Sequence, residues 1–155
     1  DLLKGFGAVP PLVTDIDLSM DDKFLYVSCW GTGEMRQYDV SDPRKLKLAG
    51  SVHIGGIVRK TPHPNGKAYA GGPQMVELSR DCKRVYWTNS LYSTWDDQSY
   101  PAGMPAAEVM AIAKPGGGLE LAKDYWVNFP DGYRAHQIRL DGGDCSTDSF
   151  CYPSV

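Results

Sequence analysis

The stretch whose reading decides the fold is Leu18–Ser28, LSMDDKFLYVS, because it returns sixty residues later as Leu78–Thr88, LSRDCKRVYWT. Asp21 lines up with Asp81, Lys23 with Lys83, Leu25 with Val85 and Tyr26 with Tyr86. In each copy an apolar strand ends at Leu-Ser, an acidic turn with a lysine follows, and an alternating strand begins. Ser and Asp side chains bond their own backbone in tight turns, which accounts for the polar centre of the repeat. The β-branched and aromatic residues after it favour a pleated, half-buried surface.

Outward from this repeat, the pattern continues. EMRQYDVSDP (34–43) and EVMAIAKPGG (108–117) both read as a third strand ending in a proline-marked turn, and LKLAGSVHI (46–54) and LELAKDYWVNF (119–129) as a fourth. Four short strands per unit of some tens of residues is the sequence form of a β-propeller blade. The fold expected is therefore all-β. Asp15–Gly55 and Gln74–Phe129 form two nearly whole blades, and His136–Phe150 begins a third. The second unit carries an insertion, SLYSTWDDQSYPAGMPAAE (90–108), and 17 Gly with 11 Pro punctuate the chain too often for long helices. Propellers close with four to eight blades as a rule, so the chain is expected to be a segment of a longer propeller or to be covered by partners. A small β-sandwich or an irregular open sheet is the alternative.

The composition sets wider bounds. At 155 residues the chain is long enough for one modest domain, and 42% hydrophobic with 23% charged residues is an ordinary globular balance. A net charge of −3 leaves no basic excess for neutralising nucleic-acid phosphates. No segment approaches the ~20 apolar residues of a transmembrane helix. The opening DLLKGFGAVPPLV lacks both an initiator methionine and the layout of a signal peptide, which implies a processed or partial chain. The four cysteines, Cys29, Cys82, Cys145 and Cys151, form no CxxC pair. That spacing favours free thiols in a reducing, cytoplasmic compartment, although Cys145 and Cys151 are near enough in sequence to pair across a turn. There is no phosphate-binding loop with its Lys-Ser/Thr and no Gly-x-Ser-x-Gly elbow.

Chemistry concentrates in AHQIRLDGGDCSTDSF (135–150), where a histidine, a glycine pair, acids and a cysteine fall close together. This stretch, with PPLVTDIDLSMDDKFLYVSCWGTGEMRQYDVSDPRKLKLAGSVHIGG, AGGPQMVELSRDCKRVYWTNSLYSTWDDQSYP and GGGLELAKDYWVNF, resembles the selenium-binding protein family over nearly the whole chain. The blocks correspond, in order, to the carboxyl-terminal third of a family member. The resemblance implies a β-propeller and a copper-dependent oxidation of methanethiol, with O₂ and water, to formaldehyde, hydrogen sulfide and hydrogen peroxide. The chain departs from the family pattern at Gln137, where the family has Glu, at Leu140-Asp141, where it has Tyr-Pro, and in the tail SFCYPSV. The family's selenium-binding cysteine and several of its histidines belong to the amino-terminal part, outside this chain.

The resemblance carries one metal ligand onto this sequence. His136 occupies the motif's histidine position, expected on an inner strand facing the propeller channel, with Gln137 or Asp144 available to orient its ring. Imidazole is a favoured donor for copper. The other reading of His136 is a buried histidine bonded to a carbonyl. His53 reads as a surface or edge residue of an outer strand, and His63 as part of a proline-flanked loop outside any site. Gly142 and Gly143 are expected to supply a positive φ, and Asp144 and Asp148 to cap their turn. Cys145 is either a soft ligand, a reactive thiol or simply buried; Cys29 and Cys82 read as structural. Trp30, Trp87, Tyr92 and Trp95 are expected to fill blade interfaces. The expected partners are the remaining blades or a larger assembly, together with a small thiol substrate. The competing functional class is a non-catalytic β-repeat module docked on a larger protein assembly.

Overall fold

A computed structural model describes residues 8–148. Strands β1 (Val13–Leu18), β2 (Phe24–Cys29), β3 (Glu34–Asp39) and β4 (Lys47–His53) form one antiparallel meander in the order β1-β2-β3-β4. Strands β5 (Val76–Leu78), β6 (Arg84–Thr88), β7 (Ala107–Ala113) and β8 (Leu119–Leu121) form a second, and β9 (Val127–Asn128) also pairs with β7. These are two neighbouring propeller blades, and the chain is all-β as expected, with only two short helices among the described residues.

The repeat is reproduced bond for bond in the two β-turns. Ser19 Oγ donates to Asp21 Oδ1 and accepts the Phe24 N–H; Ser79 Oγ donates to Asp81 Oδ1 and accepts the Arg84 N–H. The Asp21 and Asp81 carboxylates accept the N–H groups of Lys23 and Lys83. At the next position Asp22 and Cys82 both take a left-handed φ of 55°. Aspartate tolerates that region through local hydrogen bonding; a cysteine there is uncommon.

The core lies between the blades. Tyr26, Met35 and Ile54 of the first pack with Leu78, Val85, Trp87 and Val109 of the second, all essentially buried. Each fully buried Leu or Val contributes roughly 1.5–3 kcal/mol by leaving water. Gln37 sits in this interface, donating to the Tyr26 hydroxyl at 2.9 Å and accepting the Gly118 N–H at 2.7 Å, so the blades are joined by polar as well as apolar contact. Trp30 is buried against Tyr100 and Met104, its indole N–H donating to the Asn89 carbonyl.

Three parts differ from the expectation. The insertion contains a seven-residue helix, α1 (Ser93–Ser99), too short to leave a periodic pattern. It is anchored from inside by Asp96, which is fully buried and accepts the Ser90 hydroxyl and the Leu91 N–H. Tyr92 at its N-cap and Trp95 within it are about half exposed, so only Trp30 and Trp87 of the four aromatics fill the interior. Second, the fourth strand of the second blade is split. β8 pairs with one end of β7 and β9 with the other, and residues 122–126 bulge between them. Trp126 in that bulge packs edge-on against Tyr69 and His63, and His63 is buried within its proline-flanked loop. Third, no ladder forms between residues 130 and 143. The segment expected as an inner strand runs as extended chain, makes one backbone bridge to the second blade (Ser79 with Asp144) and ends in the one-turn helix α2 (Cys145–Asp148). A strand needs a partner, and none is placed beside this segment among the described residues.

Candidate functional site at the inner rim

β1 and β5 are the first strands of their blades and lie side by side. An edge strand presents unpaired N–H groups every second residue. Here Asp15 and Asp17, alternate residues on one face of β1, satisfy them. Asp15 Oδ2 accepts the Val76 N–H at 2.8 Å and Asp17 Oδ2 accepts the Leu78 N–H at 3.0 Å. Thr14 extends the row by donating to the Gln74 carbonyl at 3.0 Å. Two carboxylates are thereby carried to the inner rim.

Glu77 joins them from β5, and it stands sixty residues after Asp17, at the equivalent place in the repeat. Only 2% of Glu77 is exposed, and the carboxyl-terminal segment folds over it. Arg139 Nη1 donates to Glu77 Oε2 at 2.8 Å; the Ser146 hydroxyl donates to the same oxygen at 2.8 Å, and the Ser146 N–H reaches Glu77 Oε1. Asp144 is buried and performs the expected turn-capping role, accepting the Leu140 N–H. Gly142 and Gly143 take φ values of 83° and 100°, and a Cβ at Gly143 would press on the Arg80 guanidinium. The side chain of Asp148 and the whole of Cys151, with its suggested pairing to Cys145, lie outside the described residues.

Burial raises the carboxyl pKa values at this rim. Asp17 is pushed up to about 7, chiefly by burial and then by the charge of Glu77, against the two backbone N–H groups it accepts. Glu77 is raised by burial, with Ser146 and Arg139 opposing. Asp15 is raised by burial too, offset by the N–H groups of Val76 and Ile16 and by the charge of His136. The rim can thus exchange a proton near neutral pH. Asp15, Asp17, Val76, Glu77, Gln137 and Arg139 line a cavity of about 100 Å³ there.

His136 is exposed, with its backbone carbonyl accepting the Thr88 hydroxyl at 3.3 Å. It is therefore not a buried structural histidine. Its charge is one of the influences that lower the Asp15 carboxyl of the first blade, a residue that the sequence motif did not indicate. Asp144 is engaged in the turn, and Gln137 lies along the cavity. His53 sits half-buried on β4, 3.9 Å from Glu34, and His63 Nδ1 accepts the Asn65 N–H. The structure does not bring the three histidines together. Among the described residues no three potential ligands cluster. Cys145 is fully buried, donates toward the Ser79 carbonyl and lies 3.4 Å from the Cys82 sulfur. Burial, and then Cys82 beside it, raises its thiol pKa. Neither thiol is in a disulfide.

The family model for the 56 kDa selenium-binding protein matches residues 3–151. The chain belongs to that family. Methanethiol oxidase from Xenopus tropicalis is 43% identical over 90% of this chain, and the human methanethiol oxidase 44% over the same share. The chain spans about a third (35%) of the length of these relatives. A crystal structure of a hypothetical selenium-binding protein from Sulfolobus tokodaii superposes with a TM-score of 0.91 at 58% identity, covering 98% of this chain and 33% of that one. The family chain contains no helix long and apolar enough to cross a membrane among its described residues. The acids at its inner rim were legible in one respect: the repeat places Asp17 and Glu77 at equivalent positions.

Proposed function

We propose that the protein carrying this chain is a copper-dependent methanethiol oxidase, converting methanethiol, O₂ and water to formaldehyde, hydrogen sulfide and hydrogen peroxide. Two observations support the reading: the relatives named methanethiol oxidase, and an exposed His136 held at a carboxylate-lined rim. His136 supplies one imidazole ligand, and the remaining ligands come from the part of the protein outside this chain. When bound, copper would supply the one-electron and O₂ chemistry and favour the substrate as thiolate. Asp15 balances the charge at His136, and Asp17 holds or yields a proton near pH 7. Arg139 and Ser146 bind the segment to Glu77 and so fix where the imidazole stands. Selenium binding is assigned to the region beyond this chain. A reducing cytoplasmic setting suits cysteines that form no CxxC pair.

The observation that carries the reading is that His136 is exposed rather than buried in the core, next in the chain to Gln137, which lines the cavity with Asp15 and Asp17. The test is full-length protein, wild type against His136→Ala, assayed for copper content and for sulfide release from methanethiol. Loss of both in the variant is expected, with folding unchanged by circular dichroism. Unchanged copper and turnover would reject the assignment.

A further inference from the structure

We infer that Cys82 and Cys145 form a peroxide-oxidisable dithiol whose disulfide locks the carboxyl-terminal segment onto the second blade. This goes beyond the proposed oxidase activity and stands on geometry. The two sulfurs are 3.4 Å apart, although the residues are 63 positions apart in sequence. A disulfide needs a separation of about 2.05 Å, so the two sulfurs must close by roughly 1.4 Å. The two thiols differ in access. Cys82 is partly exposed and lines a cavity of about 540 Å³ between the two β-turns, with Lys23, Lys83, Lys114 and Arg80 on its walls. Its sulfur also accepts the Met20 N–H at 3.2 Å. Cys145 is fully buried behind it. One thiol is thus open to a small oxidant and the other is placed to resolve the product, the arrangement of a redox-sensing pair.

The position of Cys82 adds to this. It takes the left-handed φ that Asp22 takes in the first blade, where an acid forms no link to another segment. In the second blade that same corner is turned toward α2.

The chemistry balances with hydrogen peroxide as oxidant. The Cys82 sulfur attacks one peroxide oxygen: an S–O bond forms, the O–O bond breaks, and the departing hydroxide leaves as water with the thiol proton. The Cys145 sulfur then attacks Cys82: the S–S bond forms, the S–O bond breaks, and a second water leaves with the Cys145 proton. Two thiols lose two electrons and one peroxide becomes two waters. The resulting bridge ties α2 to the turn between β5 and β6, reinforcing the Arg139–Glu77 and Ser146–Glu77 bonds that hold the His136 segment.

The test uses the full-length protein. It is exposed to hydrogen peroxide, its remaining thiols are alkylated in denaturant, and its peptides are analysed by mass spectrometry without reduction. The expected product is a Cys82–Cys145 cross-linked peptide, two hydrogens lighter than its components, removed by dithiothreitol and absent from Cys82→Ser. Full alkylation of both cysteines, a Cys145–Cys151 bridge in its place, or Cys82 driven to sulfinic acid without a cross-link would each overturn the inference.

Discussion

At the residue scale the decisive group is Asp17, a carboxyl that the fold buries on both sides. Its folded pKa of about 7 exceeds the ordinary 3.8, so the native state keeps a proton that the unfolded chain has already released. Stability is therefore greatest below the unfolded value and falls as pH rises from about 4 to about 7, levelling beyond. One such group sets a slope of at most about 1.4 kcal/mol per pH unit. Denaturant melts at stepped pH are expected to show this fall, and Asp17→Asn to flatten it; a wild-type profile that rises across the window would refute the assignment. Arg139 presents the opposite case, since it offsets the buried charge of Glu77. Arg139→Met should cost about 1–3 kcal/mol in the same melts, the worth of a hydrogen bond to a charged group. An unchanged midpoint would mean Ser146 alone suffices. Asp15→Asn keeps an acceptor for Val76 but removes the charge facing His136; a roughly 10–100-fold loss of copper affinity is expected, with little change in folding.

At the element scale, the joints between strands carry the architecture. Asn89, just past β6, donates to the carbonyls of Ala70 and Pro105 and accepts the Ala107 N–H, all at 2.8–2.9 Å and fully buried. Replacing it with Leu strands three backbone groups. A loss of about 1–3 kcal/mol is expected, readable as a lowered unfolding midpoint, the cost of leaving the buried Ala107 N–H unpaired. This joint also explains what the sequence concealed. The meanders were legible because LSMDDKFLYVS and LSRDCKRVYWT repeat a local turn, and local hydrogen bonds are written in local residues. α1 was not, since its anchor is the burial of one acid, Asp96, rather than a periodic apolar face. Nor was the course of residues 130–144, because Arg139, Thr88 and Ser79 hold it by contacts across tens of residues. The same holds at the rim: His136 was legible from its motif, whereas Asp15 and Cys82 became its neighbour and the neighbour of Cys145 only through the fold.

At the scale of the whole molecule, two blades and an extended segment leave apolar residues uncovered, among them Val13 and Ile16 on β1, Leu48 on β4 and Leu46 just before it. The Sulfolobus tokodaii selenium-binding protein shares this fold and is about three times as long, since this chain covers 33% of it. On the function proposed above, the rim acids, Arg139 and His136 would form one wall of the copper site. The most direct measurement is X-ray anomalous scattering at the copper edge from crystals of the full-length protein loaded with copper. The account predicts a copper peak coordinated by an imidazole nitrogen of His136, with Asp15 beside it. A fully occupied copper site with His136 outside its ligand shell would contradict it.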